Sequence, residues 1–264
     1  MNTDASVDVL RAKGVTKRFG KFVAVDRVDY ALGENEVAGI IGSNGAGKTT
    51  FFNLLTGYFL PDDGTIHYRG EDVTRAAPQE RVAKGITRTF QLTSAFDNLS
   101  VVDNLVLAFF RAYRQPSLLQ LLLTTRRRYR EADKIGEILD TFDFGDVRDK
   151  EVKRLSLGEK RRLEIAMAVL AEPKVLLLDE PLAGLAESEI RGVLDVLQRR
   201  RGAQTILIVE HKISHLQDFL QRLTVMHEGR IIADGTCDEC LRDAAVRRSY
   251  WQIEVDSESA GTAP

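Results

Sequence analysis

Gly42-Ser43-Asn44-Gly45-Ala46-Gly47-Lys48-Thr49 meets the pattern G-x-x-x-x-G-K-[ST] at every fixed position. The apolar run Val37-Ala38-Gly39-Ile40-Ile41 leads in as a buried strand would, and Thr50-Phe51-Phe52-Asn53-Leu54-Leu55 leads out as a helix would. Strand, glycine-rich loop, helix is the arrangement this pattern needs. The glycines let the backbone curl around a polyphosphate with successive N–H groups pointing inward, and the helix N-terminus adds a favourable dipole. Lys48 then reaches the terminal phosphates, and the Thr49 hydroxyl holds Mg²⁺. The expected ligand is a nucleoside triphosphate.

Outward from the loop, the N-terminal stretch reads as strands and turns. Val7 and Val9 alternate with polar neighbours, and Val23, Val25 and Val28 lie near the turn signals Gly20-Lys21 and Gly33-Glu34. Pro61-Asp62-Asp63-Gly64 is a turn introducing the strand-like Thr65-Ile66-His67-Tyr68. From about Asn98 to Leu170 the periodicity turns helical, with an apolar stripe at Ile135, Ile138 and Leu139. Then α/β character returns. Val175-Leu176-Leu177-Leu178 and Thr205-Ile206-Leu207-Ile208-Val209 are continuous apolar strands, with an amphipathic helix between them over Ile190 to Leu197. Fully apolar strands alternating with helices indicate a parallel sheet covered on both faces. Leu223 to Ile232, broken at Glu228-Gly229, reads as a closing hairpin, and residues 257–264 have nothing to bury.

The apolar strand at 175–178 ends in Asp179-Glu180. An isolated Asp-Glu before a proline is usually a solvated turn. After a phosphate loop, a strand that delivers carboxylates to its C-terminal edge is instead the second half of a nucleotide-hydrolysing site. Asp179 would hold Mg²⁺ through water, and Glu180 would polarise the attacking water as general base. His211 follows the next strand in Val-Glu-His-Lys, where a neutral imidazole can touch a γ-phosphate and orient water. Gln91 follows the strand-like 86–90, and its amide is placed to reach Mg²⁺ or water. In Leu155-Ser156-Leu157-Gly158-Glu159 the spacing is that of a capping box, Ser156 capping a helix and Glu159 reaching back. Such an N-terminus, with a free hydroxyl and a close-approach glycine, can also bind a second anion.

Composition narrows the class. With 264 residues, 44% hydrophobic, 29% charged and a net charge of −2, the chain has an ordinary globular balance and no positive field for nucleic acid. Two cysteines give no disulfide framework, and Cys237-Asp238-Glu239-Cys240 lacks the second pair that a closed zinc site needs. Both are expected in a terminal helix. The first residues carry no basic-then-apolar pattern, so no signal peptide is expected, and apolar clusters such as 118–123 are far too short to cross a bilayer. The runs at 126–128 and 199–201 are read as solvated arginines, with membrane headgroup contact a weaker option for the first.

The ordered set resembles the ATP-binding-cassette ATPases: the phosphate loop, Gln91, Leu-Ser-x-Gly-Glu at 155–159, Leu-Leu-Leu-Asp-Glu-Pro at 176–181, and His211. The resemblance runs from about Val9 to Gly235. It implies an α/β P-loop NTPase (RecA-like) core with an antiparallel β subdomain and an α-helical subdomain, forming one ATPase domain over 5–240. The core and β subdomain would take about 5–91 and 171–240, the helical subdomain 92–170, and a C-terminal helix and tail 241–264. It implies ATP and Mg²⁺ as ligands. ATP would be bound by residues 42–50 (Gly42, Ser43, Asn44, Gly45, Ala46, Gly47, Lys48, Thr49 and Thr50), and the metal by Thr49, Gln91 and Asp179. Two cassettes would pair head to tail, with Ser156, Gly158 and Glu159 binding ATP and Ser156 and Gly158 contacting the γ-phosphate bound by the other. Phe19, in Lys-Arg-Phe-Gly, matches the aromatic that stacks on adenine; the alternative is an ordinary core phenylalanine. Two positions depart from the family pattern. Leu157 replaces a common Gly, and Ala186 in the dimer-contact loop stands where Asp or Asn is usual, weakening the expected coupling between sites.

Asn53-Leu54-Leu55-Thr56-Gly57, Thr87-Arg88-Thr89-Phe90-Gln91, residues 160–166 and the long basic insertion over 111–130 are similar to ATP-binding subunits of branched-chain amino acid importers. That similarity implies membrane-spanning permease subunits met by residues 92–96, a second homologous ATP-binding subunit or a second copy, and indirectly a solute-binding protein. The place would be cytoplasmic, peripheral on the inner face of the cell membrane. Rival readings are a lipid or lipopolysaccharide exporter ATPase, an importer of urea or short amides, a soluble cassette of translation or DNA repair, and a regulatory module without turnover. A Ras-type GTPase lacks support because no Asn-Lys-x-Asp occurs.

Overall fold

The computed structural model describes residues 8–89, 95–113, 133–211 and 213–250. Gln91 with its neighbours 90–94, most of the basic insertion, Lys212 and the tail from 251 lie outside the described residues.

Two sheets carry the fold. Strands β1 (Asp8–Phe19), β2 (Phe22–Gly33), β4 (Asp63–Tyr68) and β5 (Glu71–Asp72) form an antiparallel sheet in the order β2-β1-β4-β5. The second sheet has the order β10-β9-β3-β8-β7-β6, from β3 (Val37–Gly42), β6 (Ile86–Arg88), β7 (Val175–Asp179), β8 (Thr205–Val209), β9 (Arg222–His227) and β10 (Arg230–Gly235). Its pairs β6·β7, β7·β8, β8·β3 and β3·β9 are parallel, and β10 closes the edge antiparallel to β9. The first two strands run longer than the sequence alternation indicates. Each has twelve residues, and bulges let one ribbon twist while keeping Phe19 opposite Phe22 across the Gly20-Lys21 turn.

Every position of β3, β7 and β8 is buried, and the period of two splits their side chains between two cores. Ala38, Ile40, Leu177, Leu207 and Val209 face helix α1 (Lys48–Leu55) and the antiparallel sheet, where Phe51, Phe52, Leu54 and Leu55 meet Leu10, Val25 and Ile66. Val37, Ile41, Leu176, Leu178, Ile206 and Ile208 face the other way. There they join the helices α3 (Val101–Tyr113), α4 (Asp133–Thr141), α5 (Leu157–Val169) and α6 (Glu187–Gln198). Burying each such aliphatic or aromatic side chain contributes about 1.5–3 kcal/mol, so both faces must stay covered. The expected stripe of α4 is there, with Ile135, Ile138 and Leu139 all buried. Short helices α7 (Cys237–Arg242) and α8 (Ala244–Tyr250) end the described chain. The first begins at Cys237 because Thr236 caps it, accepting the Glu239 N–H at 3.3 Å. Cys240 is buried and its thiol donates to the Leu223 carbonyl at 3.1 Å.

A buried cation joins the phosphate-loop helix to the antiparallel sheet. Arg81, in α2 (Pro78–Lys84), is fully buried, and its guanidinium donates to the carbonyls of Leu54, Leu55, Val73, Thr74 and Ala76. The Leu54 and Leu55 carbonyls belong to the C-terminal end of α1, where the helix dipole favours positive charge. Burial lowers the Arg81 pKa to about 10, still well above neutral pH. Arg81→Met should therefore lower the unfolding free energy by about 2–4 kcal/mol, because several buried carbonyls lose their donor at once. Urea denaturation would measure this, and a loss under about 1 kcal/mol would show that the carbonyls find other donors.

Candidate functional site

The site grows out of the parallel sheet at the C-terminal ends of β3, β7 and β8. Register puts Asp179 opposite Val209 on β8, and the next backbone link, Glu180 N–H to Val209 carbonyl at 2.9 Å, carries the pairing past the end of β7. The turns after the two strands therefore leave side by side, one bearing Glu180 and the other His211.

The phosphate loop sits at the end of β3. Gly47 has φ 96°, and a Cβ there would meet the Ala24 carbonyl oxygen at 2.3 Å, so only glycine fits between the loop and β2. Lys48, the first residue of α1, is buried. Its Nζ donates to the carbonyls of Gly42 at 2.7 Å and Ser43 at 3.1 Å, spanning the loop. Asn44, Gly45 and Thr49 are exposed around it, and Ser43, Gly47 and Thr50 are half-buried. Burial pushes the Lys48 ammonium below the ordinary lysine range, and the carboxylates of Glu180, Asp179 and Glu210 pull it back up.

A line of polar groups crosses from this lysine to the carboxylate turn. His211 Nδ1 lies 3.5 Å from Lys48 Nζ, and Nε2 lies 2.8 Å from Glu180 Oε1. An ammonium only donates, which makes Nδ1 the acceptor and puts the ring proton on Nε2, donating to Glu180. Glu180 itself has φ 48°, a left-handed conformation that costs a non-glycine residue about 1 kcal/mol or more. Backbone strain of that kind concentrates where side-chain direction matters more than stability.

Asp179 is buried at 2% exposure. Arg88 Nη2 donates to its Oδ2 at 2.5 Å, while Oδ1 is buried and has no hydrogen-bond partner among the described residues. Burial raises the Asp179 carboxyl pKa, against the pull of the Arg88 charge. A buried carboxylate oxygen of this kind, beside a phosphate loop, fits a hard cation such as Mg²⁺ with its waters. No group of three or more His, Cys, Asp or Glu converges among the described residues.

Sequence reasoning passed over Glu210. It is buried, and its carboxylate accepts the Leu182 N–H at 2.8 Å and the His211 N–H at 3.2 Å. One side chain thus ties the turn after Glu180 to the turn holding the histidine. Its only sequence signal is an acidic residue at the end of an apolar strand.

The residues of the Leu-Ser-x-Gly-Glu segment lie apart from this cluster. Ser156 Oγ accepts the Glu159 N–H at 3.1 Å and Glu159 accepts the Ser156 N–H at 2.6 Å, the expected capping box at the start of α5. The Gly158 N–H donates to Glu189 of α6 at 3.0 Å, and the Ala186 N–H donates to the same carboxylate at 3.1 Å. These backbone donors hold the Glu189 carboxyl below the usual carboxylate range. A Cβ on Gly158 would meet that carboxylate at 2.5 Å, and Leu157 leans on Gly184. Phe19 ends β1 with 46% of its surface exposed and its ring edge-on to Phe59 at 5.5 Å, which is not a core position.

Residues 25–183 match the ABC transporter family. The chain belongs to that family. It is an ATP-binding cassette and an ATPase. The cassette is 34% identical over 250 residues to the high-affinity branched-chain amino acid transport ATP-binding protein LivG of Salmonella typhimurium, covering 93% of this chain and 98% of that one. It is also 34% identical over 249 residues to the lipopolysaccharide export system ATP-binding protein LptB of Haemophilus influenzae, covering 92% and 97%. Among solved structures, the ADP conformation of MJ1267, an ATP-binding cassette of an ABC transporter, superposes with a TM-score of 0.79 at 30% identity, covering 93% of this chain and 99% of that chain. No helix of the described cassette is long and apolar enough to cross a membrane.

Glu210→Gln should drop ATP turnover roughly tenfold or more, because one of its two N–H acceptors becomes a donor and the Glu180 and His211 turns shift apart. Phosphate release measured beside a folding control would decide, and wild-type turnover would show that the two turns hold without it.

Proposed function

We propose that this cassette is the ATP-hydrolysing subunit of a branched-chain amino acid importer, working on the inner face of the cell membrane against permease subunits. The line Lys48, His211, Glu180 beside the orphan oxygen of Asp179 is the observation that carries the hydrolytic part. Lys48 gives up its loop carbonyls for the β- and γ-phosphates of ATP, on residues 42–50, and Phe19 offers its exposed ring to adenine. Thr49, Gln91 and Asp179 would hold Mg²⁺, which supplies charge neutralisation on the phosphates. Glu180 polarises the attacking water, and His211, its proton held on Nε2, orients Glu180 and the γ-phosphate.

The solute class is supported by the LivG likeness over nearly the full length of both chains. Residues 5–240 would act as one ATPase unit, its helical part at about 92–170, and two such units would pair with Ser156, Gly158 and Glu159 facing the partner's nucleotide. In the single chain the Gly158 N–H is already taken by Glu189, so pairing requires that carboxylate to give way to a γ-phosphate. Purifying the tagged chain from its native membranes, with mass spectrometry of what accompanies it, tests the assignment. Two multi-spanning subunits and a second cassette are expected, and a lipid-export complex would overturn it.

Glu180→Gln should bind ATP and pair yet lose turnover by about 10²-fold or more, since only the base is removed. Normal turnover would refute the assigned role. In that same background Glu189→Gln should lower the ATP concentration at which pairs form in sedimentation velocity, by removing a negative charge from the γ-phosphate's place. An unchanged or higher midpoint would mean that Glu189 does not compete with nucleotide.

A further inference from the structure

We propose that Arg88 is the positioning residue that sets the Asp179 carboxylate for the divalent cation of the nucleotide complex. The proposal rests on the reading of Asp179 as a metal-side carboxylate, and it concerns the last residue of β6, the strand that leads toward Gln91.

Charge neutralisation alone would be served by any cation near a buried aspartate. The Arg88 guanidinium is held more tightly than that purpose needs. One η-nitrogen donates to Asp179 Oδ2 at 2.5 Å, and the other donates to Asn53 Oδ1 on the phosphate-loop helix. Its Cζ lies 4.9 Å from the ring centroid of Phe52 and 5.5 Å from that of Tyr58. The Arg88 side chain is 11% exposed and that of Asp179 1% exposed, so little water competes for these bonds. Backbone pairing of Arg88 with Leu177 on β7, and of the Thr89 N–H with the Leu177 carbonyl at 2.9 Å, fixes where the arginine starts.

A planar fork anchored at four points has one orientation. It therefore selects one rotamer of Asp179, in which Oδ2 is consumed and Oδ1 is left without a partner among the described residues. That carboxylate is close enough for its charge to act on Lys48. The network thereby links the helix that carries Thr49 to the strand that carries Asp179, the two elements whose residues would hold the cation. A carboxylate with one oxygen fixed by an outer partner and the other free is a prepared ligand, and partners of that kind tune metal affinity.

The test uses the full chain, Mn²⁺ as the probe followed by electron paramagnetic resonance, and a non-hydrolysable ATP analogue. Arg88→Met should weaken Mn²⁺ binding to the nucleotide-loaded cassette by about 10- to 100-fold, while nucleotide affinity in EDTA is retained. Arg88→Lys keeps the charge but not the fork, and should recover only part of the loss. A folded Arg88→Met with wild-type Mn²⁺ affinity overturns the proposal, since a purely structural ion pair lowers the melting temperature alone. Should the Met variant not fold, Arg88→Lys decides: weakened Mn²⁺ binding supports the proposal, and wild-type binding overturns it. Asp179→Asn in the same assay separates the two readings. If it weakens Mn²⁺ binding while both Arg88 variants bind normally, only the part given to Arg88 fails; if it binds Mn²⁺ normally, the metal-side reading fails and this proposal with it.

Discussion

The register between β7 and β8 is the constraint on which the site depends. Asp179 pairs with Val209, and Glu180 then hydrogen-bonds the Val209 carbonyl. A slip by one residue would reverse the facing of every side chain on β7, sending Leu177 toward the helices and Leu176 toward the phosphate-loop helix. It would also carry Glu180 away from His211. Because both faces of these strands are fully buried, such a slip is opposed by tightly packed cores on two sides. Packing thus sets the strand register, and Glu210 then ties together the two turns that carry the hydrolytic groups.

The same sheet edge gathers more buried charge than an ordinary core would tolerate. Lys48, Asp179 and Glu210 are all buried there, and Arg88 is nearly so. Each is held by named partners: loop carbonyls for Lys48, Arg88 for Asp179, two backbone N–H groups for Glu210. Groups so placed move little when charge changes nearby, which is the property a site for phosphate chemistry requires. Arg81 plays a related part farther away, where its bonds to α1 carbonyls keep the phosphate-loop helix seated on the antiparallel sheet.

Glu189 gives the molecule a second feature of interest. Its carboxylate spans the start of α5 and the start of α6, joining the Leu-Ser-x-Gly-Glu segment to the loop that follows Glu180. Ala186 offers no side-chain cap of its own, and Glu189 accepts both its N–H and that of Gly158. The departure at Leu157 finds a place too, since its side chain rests on Gly184 of the same loop. These two segments are mechanically joined within one cassette.

Much of this was legible in the chain itself. The glycine spacing of residues 42–49 and the apolar runs at 37–41, 175–178 and 205–209 determined a parallel sheet with a phosphate loop at one strand end, because burial on both faces demands unbroken apolar strands and only glycine allows the loop its φ values. Ser156 and Glu159 announced their cap by spacing alone. Arg88, Glu210 and Glu189 carried no such sign. A lone arginine or glutamate looks the same in sequence whether it is solvated or buried, and the partners that join separate elements, Asp179, Leu182 and Gly158, lie 91, 28 and 31 residues away. Local spacing records what one helix or strand does for itself. Which distant charge meets which carboxylate depends on how the strands are ordered across the sheet, and only the folded chain decides that.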